Sequence, residues 1–438
     1  MTSLDPDRAG SEPAEVFGEV PAEAPADVPA EVVVDVGSVA HGGFCVARHE
    51  GRVIFVRHSL PGERVRARIT EGEAGSRFWR ADAVEILSAS AERVAAPCPY
   101  ATPGGCGGCD WQHASLPAQR IMKAEVVAEQ LRRLANVSWP VEVEAVAGDA
   151  DGLNWRTRVT YAVTADGKAG LRRHRSHEVV PIDDCLIAHP SVRELDVPGQ
   201  RWSGAASVRA IASSSGEQAV VVTRGSGSAR TRAPRLTPGV SVVVDGERVR
   251  GRTYVTESAA GRSWRVRSDG FWQVHPGAAS TLVDAVLAAL EPQVGESVLD
   301  LYSGVGLFAG TLAAQVGPDG RVVAIESDAH AVADARRNLH DVPWVRLVSG
   351  RVDRVTPGEP VDLVVLDPPR TGAGAKVVRR IAALRPRAVA YVACDPAALA
   401  RDVATFAAAG YSMTRLRAFD LFPMTHHVEC VATLRRSM

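Results

Sequence analysis

The sequence predicts a three-part protein: an α/β, doubly wound C-terminal sheet, a small N-terminal β-barrel and a β-rich segment between them. Three observations predict it. After residue 278, helix-like and strand-like runs alternate in the βαβ manner of a doubly wound sheet. Between residues 31 and 88, five short alternating runs separated by turn residues fit a small OB-like barrel. From about 154 to 270, strand-like runs recur between Gly/Ser-rich breaks such as RGSGSAR.

Taken in order, residues 1–30 are Pro/Ala/Glu-rich and lack periodicity. They cannot bury enough apolar surface to offset ordering entropy, so a disordered tail is expected. The barrel, assigned to 31–92, comes from EVVVDVGSV, FCVARH, RVIFVRH, ERVRARIT and FWRADAVEIL, parted by AHGG, EG, SLPG and GEAGS. A central domain is assigned to 93–270. Its residues 115–137 predict an amphipathic helix with Ile121, Ala124, Ala128, Leu131 and Leu134 on one face, packed on the C-terminal domain. That domain, 271–438, runs from AASTLVDAVLAAL through SVLDLY, RVVAIESD, VRLVSG, VDLVVLD and AVAYVAC, with helical runs between. A final antiparallel pair, YSMTRLRAFDLF and HHVECVATLRR, is expected to close one edge.

The chain has 438 residues and a mean hydropathy of −0.03. It contains no apolar run near the roughly 20 residues that cross a bilayer, and no signal pattern. A cytoplasmic protein without membrane association is expected, and no obligatory protein partner is evident. Charge is uneven: residues 1–31 hold eight acids and only Arg8, while 193–267 hold thirteen Arg against six acids. That excess suits a polyanion such as RNA. Lys occurs only at 123, 168 and 376, so a genome-wide taste for Arg explains the same count. Seven cysteines in a chain of this kind argue against a disulfide framework.

In an open α/β sheet, ligands bind outside the carboxyl ends of the strands. Three strand-like runs end there on reactive groups: Asp367 in VVLDPPR, Cys394 in YVACDP and Glu429 in THHVEC. Upstream, YSGVGLFA places Gly304 and Gly306 at the mouth of a helix, and Glu326 follows at the next strand end, where a carboxylate can accept ribose hydroxyls. The same run satisfies the loose dinucleotide form G-x-G-x-x-A, so a nicotinamide enzyme is a rival. Asp367-Pro368-Pro369 fixes a rigid loop that is either a pocket wall or merely a stiff strand exit. Cys394 precedes a helix N-terminus, whose dipole is expected to stabilise a thiolate; the bland alternative is a buried structural Cys. His426, His427 and Glu429 are expected on one strand, with His427 and Glu429 sharing a face and either able to act as general base. Cys98, Cys106 and Cys109, with Cys185 distant, form a thiolate set suited to iron–sulfur or zinc.

Together these residues resemble the RNA (uracil-5-)-methyltransferase family over nearly everything after residue 30. GRVIFVRHSLPGERVRARI looks like a TRAM domain, and CGGC with Cys185 looks like the iron–sulfur centre of the ribosomal RNA members. FWQVHPGAA resembles the family's F-x-Q-x-N segment, which implies that Gln273 contacts S-adenosylmethionine; DLYSGVGLF implies that Tyr302 lies against it. By the same resemblance Glu326 is the ribose-binding acid, Asp367 the carboxylate of the D-P-P/A-R loop, Cys394 the nucleophile and Glu429 the base. Leu307, His275 and Met424 depart from the pattern, and the first cysteine spacing is two residues longer than usual. The resemblance implies methylation of a uridine at C5 through a covalent Cys–uracil adduct, with 23S ribosomal RNA as the expected substrate, a 4Fe-4S cluster and a Rossmann-like methyltransferase domain. The alternatives are transfer RNA as substrate, a 5-methylcytosine enzyme, or a non-catalytic RNA-binding iron–sulfur protein.

Overall fold

The computed structural model describes residues 28–226, 234, 236–355 and 359–437. All but the last three positions of the expected disordered tail, and most of RGSGSAR, lie outside the described residues. Among the described residues, five strands close a barrel: β1 (Glu31–Ala40), β2 (Phe44–His49), β3 (Arg52–Arg57), β4 (Arg64–Glu71) and β5 (Phe78–Ser88). Their order is β1-β2-β3-β5-β4, and β4 pairs back onto β1. Alternation decides what fills the interior. Val32, Val34, Cys45, Ala47, Ile54, Val56, Val65 and Trp79 point in and are buried, which turns Phe55, Phe78 and Arg80 outward.

Helix α1 (Leu116–Gln130) begins where Ser115 Oγ accepts a bond from Ala118 N at 3.3 Å, with Pro117 in its first turn. It ends in a wide turn, Leu131–Ala135, closed by Asn136 at φ 54°. Its buried face differs from the expected one: Ile121 and Leu134 are exposed, while Met122, Lys123, Val126, Val127 and Leu131 are buried. The reason is that α1 is wedged between two bodies. Met122 and Val126 pack into the barrel core, and Val127 and Leu131 into the C-terminal core. A stripe chosen for a single apolar surface misses such a helix.

The short strand β6 (Val143–Ala145) follows. The central domain then builds a sheet from β7 (Arg158–Val163), β8 (Ala169–Arg172), β9 (Val179–Pro181), β10 (Ala205–Ala212), β11 (Gln218–Arg224), β12 (Ser241–Val244) and β13 (Glu247–Arg250), ordered β13-β12-β11-β10-β7-β8-β9. A short helix, α2 (Pro190–Arg193), interrupts it, and a hairpin, β14 (Tyr254–Ala259) with β15 (Arg262–Arg267), leads out.

The C-terminal domain alternates α3 (Ala278–Leu290), β16 (Ser297–Leu301), α4 (Leu307–Val316), β17 (Arg321–Glu326), α5 (Ala329–Asn338), β18 (Val345–Ser349), β19 (Leu363–Leu366), α6 (Gly374–Ala383), β20 (Ala388–Ala393) and α7 (Pro396–Ala408), then β21 (Tyr411–Asp420) and β22 (Glu429–Arg436). The sheet order is β18-β17-β16-β19-β20-β22-β21-β6. Every residue of β20 is buried, as befits a central strand covered on both faces. The expected antiparallel pair is present but is not the edge, because β6 adds beside β21 in parallel, with Ala418 opposite Val143. Strand order reverses between β16 and β19, which opens the crevice at their carboxyl ends. No helix among the described residues is long and apolar enough to cross a membrane.

Candidate active site

The crevice begins at the turn leaving β16. Tyr302, Gly304 and Gly306 all adopt positive φ (62°, 53° and 93°), so the backbone curls back and presents amides at the start of α4. Two anchors hold that curl. Glu326 Oε2 accepts from Gly304 N at 3.0 Å, and Val305 O accepts from Asn338 Nδ2 at 3.0 Å. A Cβ on Gly306 would meet Leu339 Cδ1 at 2.8 Å, so this position is closed to side chains twice over. Beneath the turn, Asp300 Oδ2 accepts from Ala309 N at 2.8 Å, while Oδ1 is buried without a partner. Burial pushes the Asp300 carboxyl well up.

A cavity of about 530 Å³ opens over this turn. Gln273, Tyr302, Gly304, Glu326 and Asp367 all line it, as the sequence led one to expect. Arg267, Asp269, Phe271, Phe308 and His330 line it too, and sequence reasoning missed them. Phe271, 74% exposed, directly precedes Trp272-Gln273 and could have been found from that adjacency; Arg267 and Asp269, bonded to each other at 2.8 Å, carried no such signal. The size is that of a pocket for a nucleoside-bearing small molecule. Glu326 Oε1 already accepts from Ser327 N and Asp328 N at 2.6 and 2.7 Å, and a carboxylate retains further acceptor capacity toward a ligand.

Cys394 and Glu429 meet beside Asp367. β20 and β22 pair antiparallel with Ala393 opposite Cys430, and continuing the register by one step puts Cys394 opposite Glu429. Directly opposed residues share a face at Cβ separations of about 5 Å. The charges acting on the Cys394 thiol are Glu429, Arg370, Asp367 and Asp395, so all four gather around it. Burial, seconded by Glu429, pushes that thiol up to about 12. This overturns the expectation of a dipole-stabilised thiolate. Asp395 takes the α7 amide for itself, accepting from Ala398 N at 2.7 Å, and its carboxylate lies beside the sulfur. Burial also raises both carboxyls, and Asp367 raises Glu429 further.

The segment before Glu429 is a loop, not a strand: β22 starts at Glu429 itself. His426 and His427 therefore do not share a strand face with it. Burial, with His426 and Arg370 nearby, pushes the His427 imidazole down to about 3, so it is neutral; its Nε2 lies 3.3 Å from Arg370 Nη2.

Cys98, Cys106, Cys109 and Cys185 come together around one small cavity of about 20 Å³. All four are free thiols. Burial raises Cys106, Cys109 and Cys185, the last to about 11. Four thiols on one cavity are a donor set for a thiophilic metal, although Arg156 and Asp184 line the same cavity. The expected metal geometry is nevertheless not met: among the described residues, no three His, Cys, Asp or Glu side chains are arranged to hold a metal ion. In the Arg-rich middle, several side chains have partners within the molecule. Arg193, Arg224, Arg252, Arg262, Arg265 and Arg267 each pair with a carboxylate, and Arg250 is spent on the carbonyls of Leu236, Thr237 and Val240. The side chains paired with carboxylates remain 21–59% exposed.

Against known proteins, residues 359–437 match the tRNA (Uracil-5-)-methyltransferase family, 27–84 the TRAM domain and 278–390 the methyltransferase small domain. A protein of Streptomyces avermitilis described as an uncharacterized RNA methyltransferase is 56% identical over 92% of this chain and 97% of its own. One of Bifidobacterium longum with the same description is 38% identical over 92% and 96%. Among solved structures, the Pyrococcus abyssi tRNA (uracil-54, C5)-methyltransferase in complex with S-adenosyl-L-homocysteine aligns with a TM-score of 0.69, at 24% identity, over 92% of this chain and all of that one. At that identity it speaks for the fold.

Proposed function

This chain belongs to the RNA (uracil-5-)-methyltransferase family, and from that premise we propose that it methylates C5 of one uridine in large-subunit ribosomal RNA through a covalent Cys394–uracil adduct. The observation that carries the reading is the register placing Cys394 opposite Glu429, with Asp367 shared between them and the cavity. Gln273, Tyr302, Gly304, Glu326 and Asp367 are the residues that hold S-adenosylmethionine; the cavity's volume, amide-lined turn and carboxylates fit a cationic nucleoside. When bound, it supplies an electrophilic methyl group on a sulfonium.

The uracil C5 is a poor nucleophile until its conjugation is broken. Once its proton has passed to water, the Cys394 thiolate adds to C6, forming a C–S bond and leaving an enolate whose C5 is nucleophilic. After methylation at C5, Glu429 removes the C5 proton and the C–S bond breaks, releasing Cys394. Glu429 suits that step better than His427, whose imidazole is held too weakly basic. Arg370 is the cation at the reacting centre and stabilises the enolate charge. The target base must be unpaired or flipped to reach this crevice. On the barrel, Phe55 and Phe78 meet edge to face at 5.3 Å with the Arg80 guanidinium 5.1 Å from Phe78, an outward platform suited to stacking unpaired bases.

The ribosomal choice rests on the four-cysteine set, which resembles the iron–sulfur centre of the ribosomal RNA members and lines one cavity; among the described residues its side chains are not arranged to hold a metal ion, and no catalytic step depends on one. Transfer RNA is the second reading, favoured by the description of the matching family. The test is to delete the gene and map 5-methyluridine in both RNAs, restoring it with purified protein and labelled S-adenosylmethionine. Loss from ribosomal RNA is expected. Loss from transfer RNA alone selects the second reading, and labelled 5-methylcytosine would overturn both.

A further inference from the structure

The loop that delivers Glu429, residues 421–428, is held almost entirely by the segment that follows the clustered cysteines. Asp110 N and Trp111 N both donate to Met424 O at 3.0 Å. Gln119 Oε1 accepts from Met424 N at 2.8 Å, and the fully buried Lys123 Nζ reaches Asp420 Oδ1 at 2.5 Å and Phe422 O at 3.0 Å. Met424 itself is held at φ 68°, a conformation that a β-branched or bulky residue keeps only when its surroundings impose it.

Asp110 does most. It directly follows Cys109, is 7% exposed, and its Oδ2 accepts from His426 twice, from backbone N at 3.1 Å and from Nδ1 at 2.6 Å. Its other oxygen, Oδ1, lies 3.6 Å from Arg57 Nη2 of the barrel. The His426 ring then lies 4.1 Å from the His427 ring, and His427 touches Arg370. A continuous set of contacts thus runs from the thiol cavity to the cation at the reacting centre, joining barrel, central domain and catalytic domain at a single carboxylate.

We infer that Asp110 is a positioning residue for the methylation reaction: it locks His426, and through it sets the base-bearing loop in the register that aims Glu429. The inference rests on the reading of Glu429 as the C5 base. It explains why the thiol cavity lies where it does without giving it any chemistry. Whatever orders Cys106 and Cys109 orders the next residue, and that residue holds the loop.

The test separates loop alignment from folding and from thiol addition. RNA carrying 5-fluorouridine at the target forms its Cys394 adduct without loss of a C5 proton, so adduct formation does not call on Glu429 as the C5 base. Asp110→Asn is expected to form that adduct at the wild-type rate and to bind RNA and S-adenosylmethionine with unchanged Kd. Its turnover of natural RNA is expected to fall about tenfold, the scale of one charge-assisted hydrogen bond. His426→Ala should reproduce this, and His426→Asn, whose amide can donate from nearly the position of Nδ1, should restore most of the rate. Turnover of Asp110→Asn within about twofold of wild type, a range too small for such a bond, or adduct formation slowed in step with turnover, would overturn the inference. If Asp110→Asn does not fold, the His426 pair decides alone: equal rates for Ala and Asn reject it. Normal turnover by Glu429→Gln would instead sink the base assignment, so the two failures are distinguishable.

Discussion

Cys394 illustrates how a single residue's chemistry is set by what stands across the sheet. A helix N-terminus favours a thiolate by at most about 1 kcal/mol at an exposed site. Burial and three neighbouring carboxylates act against it, and they win. Because only the thiolate attacks, the resting enzyme is nearly unreactive at neutral pH. Alkylation of Cys394 by iodoacetamide, followed by peptide mass spectrometry, should therefore rise about tenfold per pH unit between 7 and 9 with no plateau below about pH 10. The sign follows from the raised thiol: each unit of pH below its titration leaves about ten times less thiolate. A plateau near neutrality would show a thiolate already formed. Such a result would return the dipole to first place.

At the scale of elements, the turn between β16 and α4 concentrates the constraints. Gly306 combines positive φ with an approach to Leu339 that leaves no room for Cβ. Gly306→Ala must relax the curl, at a cost of about 1–3 kcal/mol, and the amides facing the cavity move with it. Calorimetric titration should show S-adenosylmethionine binding weakened by about tenfold or more, the equivalent of 1.4 kcal/mol, with the fold intact by circular dichroism; unchanged affinity would mean the curl does not shape the site. This turn, and the strand ends at Asp367 and Cys394, were legible in the sequence because glycine pairs and apolar strands bear local signatures; Glu429 stands instead at the start of β22, after a loop read as strand. Other features were not. The buried face of α1 depends on two bodies packing on it at once, and no local signal marks Lys123 as buried against Asp420. β6 is three residues long and has no period to read. The pairing of Arg262 with Asp341 and of Arg265 with Asp334 is a through-space fact that charge counting along the chain cannot supply.

For the whole molecule, the three bodies are tied together at both buried and exposed contacts. Arg57, Asp110 and His426 join all three, and His41 Nε2 of the barrel reaches Asp395 beside the nucleophile at 3.1 Å. β6 comes from well before the catalytic domain yet covers the edge of its sheet. A fragment spanning 271–438 should therefore bare the β21 edge along with the apolar face that receives Val127 and Leu131, both templates for self-association. It is expected to aggregate on expression, as judged by size-exclusion chromatography. A monomeric fragment with normal S-adenosylmethionine affinity would show that the edge needs no cover.

The place of β6 has one more consequence, in time. Its partner β21 lies some 270 residues further along the chain, a stretch that a ribosome needs on the order of tens of seconds to make. Throughout that interval Val143–Ala145 has emerged with nothing to pair with, and Asp110, Gln119 and Lys123 wait for a loop not yet translated. The barrel can close early; the catalytic centre cannot. Any chain cut short before about residue 420 leaves these N-terminal groups unmatched.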